Sequence, residues 1–199
     1  VSYTLCKSLL LTYLKDFIRQ NPQISISISC QSTNDTLKLL EDNKIDIGLI
    51  GKPENLKNIH FDFLEEIEDI FVAAKDYLRN LKARGIQKDH ILQSSTLMLL
   101  DKNNMTRQYI DDYLQENQII IKDSIDISDM DLLIDFARIG VGVACVIKNF
   151  VREDLENGTL MEIPLGFPIH KREVGFAYKT TTKPSKSLAE FIHFYKTYR

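Results

Sequence analysis

Four short loops combine hydroxyl, amide and carboxylate side chains immediately before a predicted helix. They read VSYT (1–4), QSTND (31–35), KNNMT (102–106) and ISDM (127–130). The first backbone N–H groups of a helix lack partners within the helix, and anions bind readily at such ends. Loops at the carboxyl ends of neighbouring strands would together offer these donors to one small anion. The alternative is that each polar side chain only caps its own helix.

The fourth loop is the best defined of these helix starts. We predict Ser128 as the N-cap of a helix, with Asp131 three residues later completing a capping box. Gly140 is placed to end that helix, and residues 141–147 then have the pattern of a buried strand. A helix with such clear ends presents free N–H groups at its first turn.

Residues suited to catalysis do not form a recognisable motif. The four histidines lack metal-ligand spacing, and the chain has no GxSxG, GxxxxGK[ST] or GxGxxG sequence. The acidic pairs at 65–66 and 111–112 are adjacent in sequence, so their side chains point in different directions. Asp129 and Asp131 could serve as a base, but acidic residues are common at helix starts. We therefore expect no enzyme, no metal and no cofactor.

Composition narrows the class of protein. The 199 residues carry a net charge of −3 with scattered lysines and arginines, which argues against a nucleic-acid surface in this segment. No apolar run approaches the roughly 18 residues of a membrane span, and no secretory leader is visible. Three cysteines without a CxxC pair favour a reducing compartment. We expect a cytoplasmic protein without a membrane partner.

The cysteines themselves allow two interpretations. Cys30 and Cys145 lie in apolar strand contexts and are predicted to be small core residues. Cys6 lies in the first turn of the first helix, where the helix dipole would lower the thiol pKa. A redox-sensing Cys6 is therefore an alternative, although no resolving cysteine is close to it in sequence.

The elements that must position these residues alternate between strand and helix, which predicts an α/β fold with mostly parallel sheets. The predicted strands are 24–29 (ISISIS), 45–50, 69–74, 96–100, 141–147 and 173–179, and residues 119–127 lead into the fourth loop. The predicted helices cover 5–20, 35–42, 106–117, the segment after Ser128, 148–156 and 187–198. Ser185 or Ser187 is expected to cap the last of them.

The first helix carries an unusually wide apolar face. Seven of the ten residues from 9 to 18 are apolar, more than the stripe of about 100° that packing on one sheet requires. Either both sides of this helix are buried within the chain, or one side contacts a partner.

The order and spacing of several motifs resemble the effector-binding domain of LysR-type transcriptional regulators. These are S-x-T before a long helix that ends at Asn-Pro, DIGLI after the second helix, MDLLIDFARIGVGVACVI, and ENGTLMEIPL (156–165). The resemblance covers nearly all 199 residues. It implies a two-lobed, periplasmic-binding-protein-like (type 2) α/β fold with two crossing strands and an interlobe cleft. One lobe would be 1–72 plus 178–199, and the other 73–177.

The resemblance also implies a site and partners. Ligand-binding residues would be Ser2, Thr4, Ser32, Thr33, Asn34, Thr106, Ser128 and Met130. A homodimer or higher oligomer would form through the first helix at Leu10, Tyr13, Leu14 and Phe17. The ligand would be a small-molecule effector, anionic or carboxylate; Arg107 and Arg138 are candidates to pair with it, although both are expected on the solvated surface.

Members of this family carry an N-terminal winged helix-turn-helix that this sequence does not contain, so DNA would be a partner only through that other domain. Two alternatives share the fold: a solute-binding protein of a transport system, and an enzyme such as a transferase or dehydratase. A solute-binding protein would require a signal peptide or a lipoprotein cysteine upstream, and an enzyme would require a catalytic constellation, which this sequence lacks.

Overall fold

The computed structural model describes residues 1–53, 55–181 and 183–198. It contains two compact units, Val1–Glu66 with Glu173–Arg199 (unit 1) and Ile67–Arg172 (unit 2). The chain therefore changes unit after residues 66 and 172, a few residues before the expected lobe boundaries at 72 and 177. Glu54, Thr182 and Arg199, which fall within the expected first lobe, lie outside the described residues.

Helices and strands alternate along most of the chain. The helices are α1 (Tyr3–Leu5), α2 (Leu11–Gln20), α3 (Thr33–Glu41), α4 (Lys75–Ala83), α5 (Ile91–Ser94), α6 (Met105–Glu116), α7 (Met130–Arg138), α8 (Arg152–Asn157) and α9 (Lys186–Thr197). A π-helical turn, Cys6–Leu10, joins α1 to α2. Within the ranges described, no helix has the length and apolar character needed to cross a membrane.

The strands form one sheet in each unit. They are β1 (Gly48–Gly51), β2 (Ile59–Ile67), β3 (Asp69–Ala74), β4 (Thr96–Leu100), β5 (Asp123–Ile127), β6 (Val143–Ile147), β7 (Leu160–Glu162) and β8 (Arg172–Lys179). The order is β1-β8-β2 in the three-stranded sheet and β5-β4-β6-β3-β7 in the five-stranded sheet.

The five-stranded sheet is mixed. Strand β4 runs parallel to β5 and β6, whereas β3 runs antiparallel to β6 and β7. In unit 1, β1 and β8 are also antiparallel. The expectation of mostly parallel sheets is therefore wrong for these pairs. Strand β3 enters the five-stranded sheet directly from β2 of the other sheet, without the helical crossover that sets a strand parallel to its neighbour.

Each unit has its own apolar core. In unit 1 the ring of Phe17 contacts those of Phe191 and Phe194, with ring centroids 4.9 and 5.3 Å apart. The inner strands β3 and β6 of unit 2 are buried along their whole length. Strands that are buried on both faces have continuous apolar sequences, which is why the sequence predicted both of these strands.

Two predicted helix ends are confirmed, the start of α9 and the end of α7. Ser185 caps α9 by accepting a hydrogen bond from the Leu188 N–H at 3.2 Å. Gly140 follows α7 with a φ of 78°, a left-handed conformation that glycine adopts without strain.

Other elements differ from the predictions. Residues 24–29 carry the alternating strand pattern, but they form no strand. A strand needs a hydrogen-bonded neighbour along its length, and the described part of the chain provides no strand beside residues 24–29. Strands β2 and β7 and helices α4 and α5 were not predicted.

Candidate functional site

In unit 1 a backbone pairing brings the first two polar loops together. The N-terminal amino group of Val1 donates to the Ser29 carbonyl at 3.1 Å, and the Gln31 N–H donates to the Val1 carbonyl at 2.9 Å. Ser2 and Ser32 follow directly, and each immediately precedes a helix. Two helix starts, those of α1 and α3, are thus adjacent in this unit.

The hydroxyls at these two starts cap their own helices. The Ser2 hydroxyl accepts from the Leu5 N–H at 3.2 Å, and the Ser32 hydroxyl accepts from the Asp35 N–H at 3.1 Å. The capping interpretation is therefore confirmed for both serines. Each cap binds one N–H group of the first turn, which leaves the earlier N–H groups available to a ligand.

The remaining candidates in unit 1 differ in accessibility. Asn34 is exposed, Thr4 is half-buried and Thr33 is 6% exposed. Thr33 therefore offers its backbone N–H, at the first position of α3, more readily than its side chain.

In unit 2 the third and fourth loops leave the same edge of the sheet. Strands β4 and β5 are parallel neighbours that pair as far as Leu100 and Ile127, and the Asp101 N–H donates to the Ile127 carbonyl at 3.2 Å. Asn104 caps α6 by accepting from the Thr106 N–H at 2.9 Å. The starts of α6 and α7 thus form a second pair of helix starts.

Asp129, rather than Ser128, caps α7. Its Oδ1 accepts from the Leu132 N–H at 2.9 Å. The predicted capping box with Asp131 is therefore wrong, because moving the cap by one residue puts Leu132 at the third helical position. The Ser128 hydroxyl is exposed and is not used as the cap, whereas the Met130 side chain is only 2% exposed.

Arg107 is buried, contrary to the expectation of a surface residue. Its guanidinium donates to the Leu100 carbonyl at 2.9 Å, to Asp111 at 2.8 Å and to Asp126 at 2.5 Å. Burial lowers the pKa of Arg107, but the hydrogen bonds to the two carboxylates outweigh burial and keep it above the usual value. Arg107 thereby ties α6 to the ends of β4 and β5 and positions both loops of unit 2.

The guanidinium of Arg138 is also engaged. It donates to Asp154 at 2.7 Å and to Asp135 at 2.7 Å, and these hydrogen bonds raise its pKa. Neither candidate arginine is thus available to a ligand. Lys102 is exposed in the same loop as Asn104 and is a further candidate to bind an anionic ligand. We did not predict it from the sequence, where its position in a polar loop was the only indication.

The cysteines depart from their predictions in two of three cases. Cys145 is buried, as predicted, whereas Cys30 is exposed. The pKa of the Cys6 thiol is raised by burial and further by the neighbouring Cys30 thiol, so the predicted lowering is wrong. The Cys6 N–H already donates to the Ser2 carbonyl at 2.8 Å, which places Cys6 beyond the free N–H groups of the helix start.

The wide apolar face of the first helix serves mainly the core of unit 1. Leu10, Leu14 and Phe17 are at most 8% exposed within the single chain, and Tyr13 is half-buried. The first three therefore do not offer a free surface to a partner, because they pack on the core. Leu11 and Ile18, 54% and 49% exposed and two turns apart on one face of α2, are the accessible apolar residues.

Among the residues that the structure covers, no group of three or more His, Cys, Asp or Glu side chains is arranged to hold a metal ion.

Sequence comparison relates the chain to transcriptional regulators. The chain is 23% identical over 174 residues to the HTH-type transcriptional regulator YeiE of Escherichia coli K12. That match covers 87% of this chain but 58% of YeiE. The chain therefore spans little more than half the length of this relative.

Structural comparison gives the same fold. The effector binding domain of QuiR in complex with shikimate superposes with a TM-score of 0.76 at 17% identity, covering 96% of this chain and 90% of that domain. The regulatory domain of CcmR from Synechocystis PCC6803 in complex with 2-PG gives a TM-score of 0.78 at 13% identity, covering 95% and 90%.

The family model for the LysR substrate binding domain matches residues 1–199, the full length of the sequence. The two α/β units and the alternation of helices and strands agree with that match. The chain belongs to the LysR substrate-binding domain family.

Proposed function

We propose that this chain is the effector-sensing domain of a LysR-type transcriptional regulator and binds a small anionic metabolite at its paired helix starts. The observation that carries the proposal is the pairing of helix starts, α1 with α3 in unit 1 and α6 with α7 in unit 2. Two neighbouring helix starts in each unit offer uncapped N–H groups and partial positive charge to one anion.

The charge of the ligand follows from these donors. We assign nine residues to ligand binding: Ser2, Thr4, Ser32, Thr33, Asn34, Thr106, Ser128, Met130 and Lys102. Met130, Thr33, Ser2 and Ser32 would contribute mainly through backbone N–H groups, since their side chains are buried or already used. The ligands named for QuiR and CcmR, shikimate and 2-PG, are a carboxylate and a phosphate-bearing acid, which supports an anionic effector here.

Regulation would follow from a difference in affinity. A ligand that binds one arrangement of the two units more tightly shifts the population towards it, and couplings of about 1–3 kcal/mol are typical. We propose that this shift passes through a homodimer or higher oligomer to attached DNA-binding domains in the cytoplasm. Because the relative reported above is a transcriptional regulator, we propose no enzymatic activity.

Thermal unfolding of the chain in the presence of single anions tests the proposal. The panel is phosphate, sulfate, shikimate and 2-phosphoglycolate. A ligand at 100 times its dissociation constant adds about 2.7 kcal/mol to the free energy of unfolding. We expect one of these anions to raise the midpoint, and Ser128→Ala, Thr4→Ala or Lys102→Ala to weaken that effect while leaving the unliganded midpoint nearly unchanged.

Asp129→Ala is the matched control for Ser128→Ala. Losing the cap of α7 costs about 1 kcal/mol of stability without ligand, because the Leu132 N–H loses its acceptor. An anion effect that is equally large in the wild type and in all three site variants contradicts the proposed location. The absence of any effect from the panel contradicts the proposed ligand class.

A further inference from the structure

Two free thiols meet in unit 1 although they lie far apart along the chain. Cys6 begins the π-helical turn that follows α1, and Cys30 lies just before the start of α3. The side chains of Cys6 and Cys30 are hydrogen-bonded to each other. The contact therefore joins the two helix starts of unit 1 through a pair of oxidisable groups.

Backbone hydrogen bonds hold the two cysteine segments in this arrangement. The Gln31 N–H donates to the Val1 carbonyl at 2.9 Å, and the Cys6 N–H donates to the Ser2 carbonyl at 2.8 Å. Val1 and Ser2 are consecutive, so neighbouring peptide groups hold Cys6 and the residue next to Cys30. A disulfide requires Cβ atoms about 3.5–4.5 Å apart, and two thiols in contact on segments joined in this way approach that condition.

The two thiols differ in accessibility, which sets the order in which they react. Cys30 is exposed, whereas Cys6 is half-buried and burial raises the pKa of its thiol. Because the thiolate is the reactive form, Cys30 is the thiol that meets an oxidant from solution. Cys6 is placed to react second, since groups held in contact react as if at very high concentration.

The turn that carries Cys6 has features of a segment that can rearrange. Residues Cys6–Leu10 are π-helical, a conformation that is rare and frequent at functional sites. The buried Ser8 hydroxyl in the same turn has no hydrogen-bond partner among the residues that the structure describes. Both features place the local adjustment that an S–S bond requires within this turn.

We propose that Cys30 and Cys6 form a reversible disulfide when the protein meets a hydroperoxide, and that this bond fastens the start of α3 to the first helical run. Disulfides in reducing compartments are usually transient and serve to sense oxidants, and exposed ones are readily reduced again. A resolving neighbour also protects Cys30 from oxidation to sulfinic acid, which small thiols do not reverse.

The reaction has two steps. The Cys30 thiolate attacks one oxygen of hydrogen peroxide; an S–O bond forms, the O–O bond breaks, and the departing hydroxide takes up a proton to become water. The Cys6 thiolate then attacks the Cys30 sulfur; an S–S bond forms, the S–O bond breaks, and a second water leaves. The thiols lose two protons and two electrons, and the peroxide becomes two waters. Two molecules of glutathione reverse the oxidation by exchange and leave as glutathione disulfide.

If the proposed function holds, on which this step rests, the bond also regulates effector binding. Ser2 and Ser32, which cap the two helices beside the thiols, are among the residues that we assign to the anion. Fastening the two helix starts removes freedom that the ligand otherwise has to restrict, so the oxidised form should bind more tightly. By thermodynamic linkage, the bound anion would stabilise the disulfide by the same factor.

Peptide mapping tests the disulfide without any ligand. The chain is treated with hydrogen peroxide at neutral pH, the remaining thiols are blocked with iodoacetamide, and the protein is digested with trypsin. Cleavage after lysine and arginine places the three cysteines on separate peptides, 1–7, 20–38 and 139–148. We expect a disulfide between peptides 1–7 and 20–38 that glutathione removes. Cys145, which is buried in unit 2, should remain a thiol.

Three variants verify the order of the steps. Cys6→Ser should leave Cys30 as a sulfenic acid that dimedone traps, and Cys30→Ser should leave Cys6 reduced under the same conditions. Cys145→Ala is the matched control and should form the linked peptide as the wild type does. Wild-type protein in which Cys30 stays reduced, proceeds to sulfinic acid, or links to Cys30 of a second molecule would overturn the proposal.

Anion titration of the reduced and oxidised forms tests the regulation separately. We expect the dissociation constant of the bound anion to be about fivefold or more lower in the oxidised wild type. Cys30→Ser treated with peroxide should bind as the reduced wild type does. Equal affinities of the two wild-type forms would overturn the regulation. Anions that bind neither form would contradict the proposed function, whereas the linked peptide needs no ligand and decides the disulfide by itself.

Discussion

At the scale of single residues, Cys6 shows that the start of a helix need not activate a thiol. Burial raises the pKa of Cys6, and the neighbouring Cys30 raises it further. The thiolate is the reactive form, so a raised pKa lowers reactivity at neutral pH. The alternative of a redox-sensing Cys6 is weakened by this environment, although Cys30 is a potential partner close in space.

We expect Cys6 to react with iodoacetamide more slowly than a free cysteine at pH 7, with a rate that continues to rise above pH 9. Mass spectrometry of the alkylated peptide at several pH values measures this. Cys30→Ser should lower the pKa of Cys6 without bringing it to the ordinary value, because the larger cause, burial, remains. A Cys6 that reacts as fast as free cysteine at pH 7 would contradict the expectation.

A buried ion pair in unit 2 gives a second expectation for single residues. Arg172 donates two hydrogen bonds to Asp69, at 2.7 and 2.9 Å, and the Asp69 side chain is completely buried. Burial raises the pKa of Asp69 although Arg172 acts in the opposite direction. Arg172→Met should lower the free energy of unfolding by about 3–5 kcal/mol, because it leaves a buried carboxylate without its partner.

Urea unfolding of four proteins measures this: the wild type, Arg172→Met, Asp69→Leu and the double variant. The double variant should be more stable than Arg172→Met, since it removes both charges from the interior. Lys52→Met is a matched control, because Lys52 pairs with Glu173, the next residue along, at the surface, and should cost less than about 1 kcal/mol. A double variant no more stable than Arg172→Met would show that packing, not charge, is responsible.

At the scale of elements, local patterns were sufficient where an element is defined by its own residues. Strand β3 was predicted at its observed bounds, because a short apolar run between polar residues is a strong signal for a buried strand. The start of α9 and the end of α7 followed from Ser185 and Gly140, whose cap and turn chemistry is local.

The same patterns failed where structure depends on distant residues. ISISIS has the alternation of a strand, but pairing requires a neighbour that the pattern itself does not supply. The four polar loops were recognisable as helix starts, yet their grouping in pairs depends on contacts such as the pairing of β4 with β5. Arg107 looked like a surface residue because its partner Asp126 lies 19 residues away.

Gly175 in β8 tests how closely two elements of unit 1 approach each other. A Cβ atom at this position would lie 2.1 Å from the Asp62 carbonyl oxygen of β2 and 2.8 Å from the Phe61 ring. Gly175→Ala should therefore destabilise the fold by about 1–3 kcal/mol in thermal or urea unfolding, because backbone must move. Gly166→Ala is the control, since nothing lies within 4 Å of its Cβ position. Equal stability of the two variants would mean that β8 and β2 can separate at little cost.

At the scale of the whole molecule, the fold consists of two units with separate cores, and each supplies one pair of helix starts. Under the proposed function, binding of one small ligand changes the relative populations of the arrangements of these units. This coupling is what the proposed sensing function requires, because a regulator must convert binding of a few atoms into a change that reaches other domains.

The proposed function also requires the chain to form an oligomer. The structure indicates interface residues that differ from those implied by the family resemblance. Leu10, Leu14 and Phe17 are already buried in the single chain, so the accessible apolar contacts on α2 are Leu11 and Ile18. If the chain dimerises through the first helix, Ile18→Asp should weaken the dimer by about 2 kcal/mol or more, roughly 30-fold in dissociation constant, because a carboxylate would be buried there.

Sedimentation velocity over a range of concentrations measures this dissociation constant. Ile120→Asp places the same charge at an exposed position outside α2 and should leave association unchanged. Circular dichroism of both variants verifies that they fold, which is expected since each isoleucine is about half or more exposed. A dimer that is unaffected by Ile18→Asp would place the interface elsewhere. Weakening confined to Ile18→Asp would identify the exposed face of α2 as the surface through which a change in one subunit reaches the other.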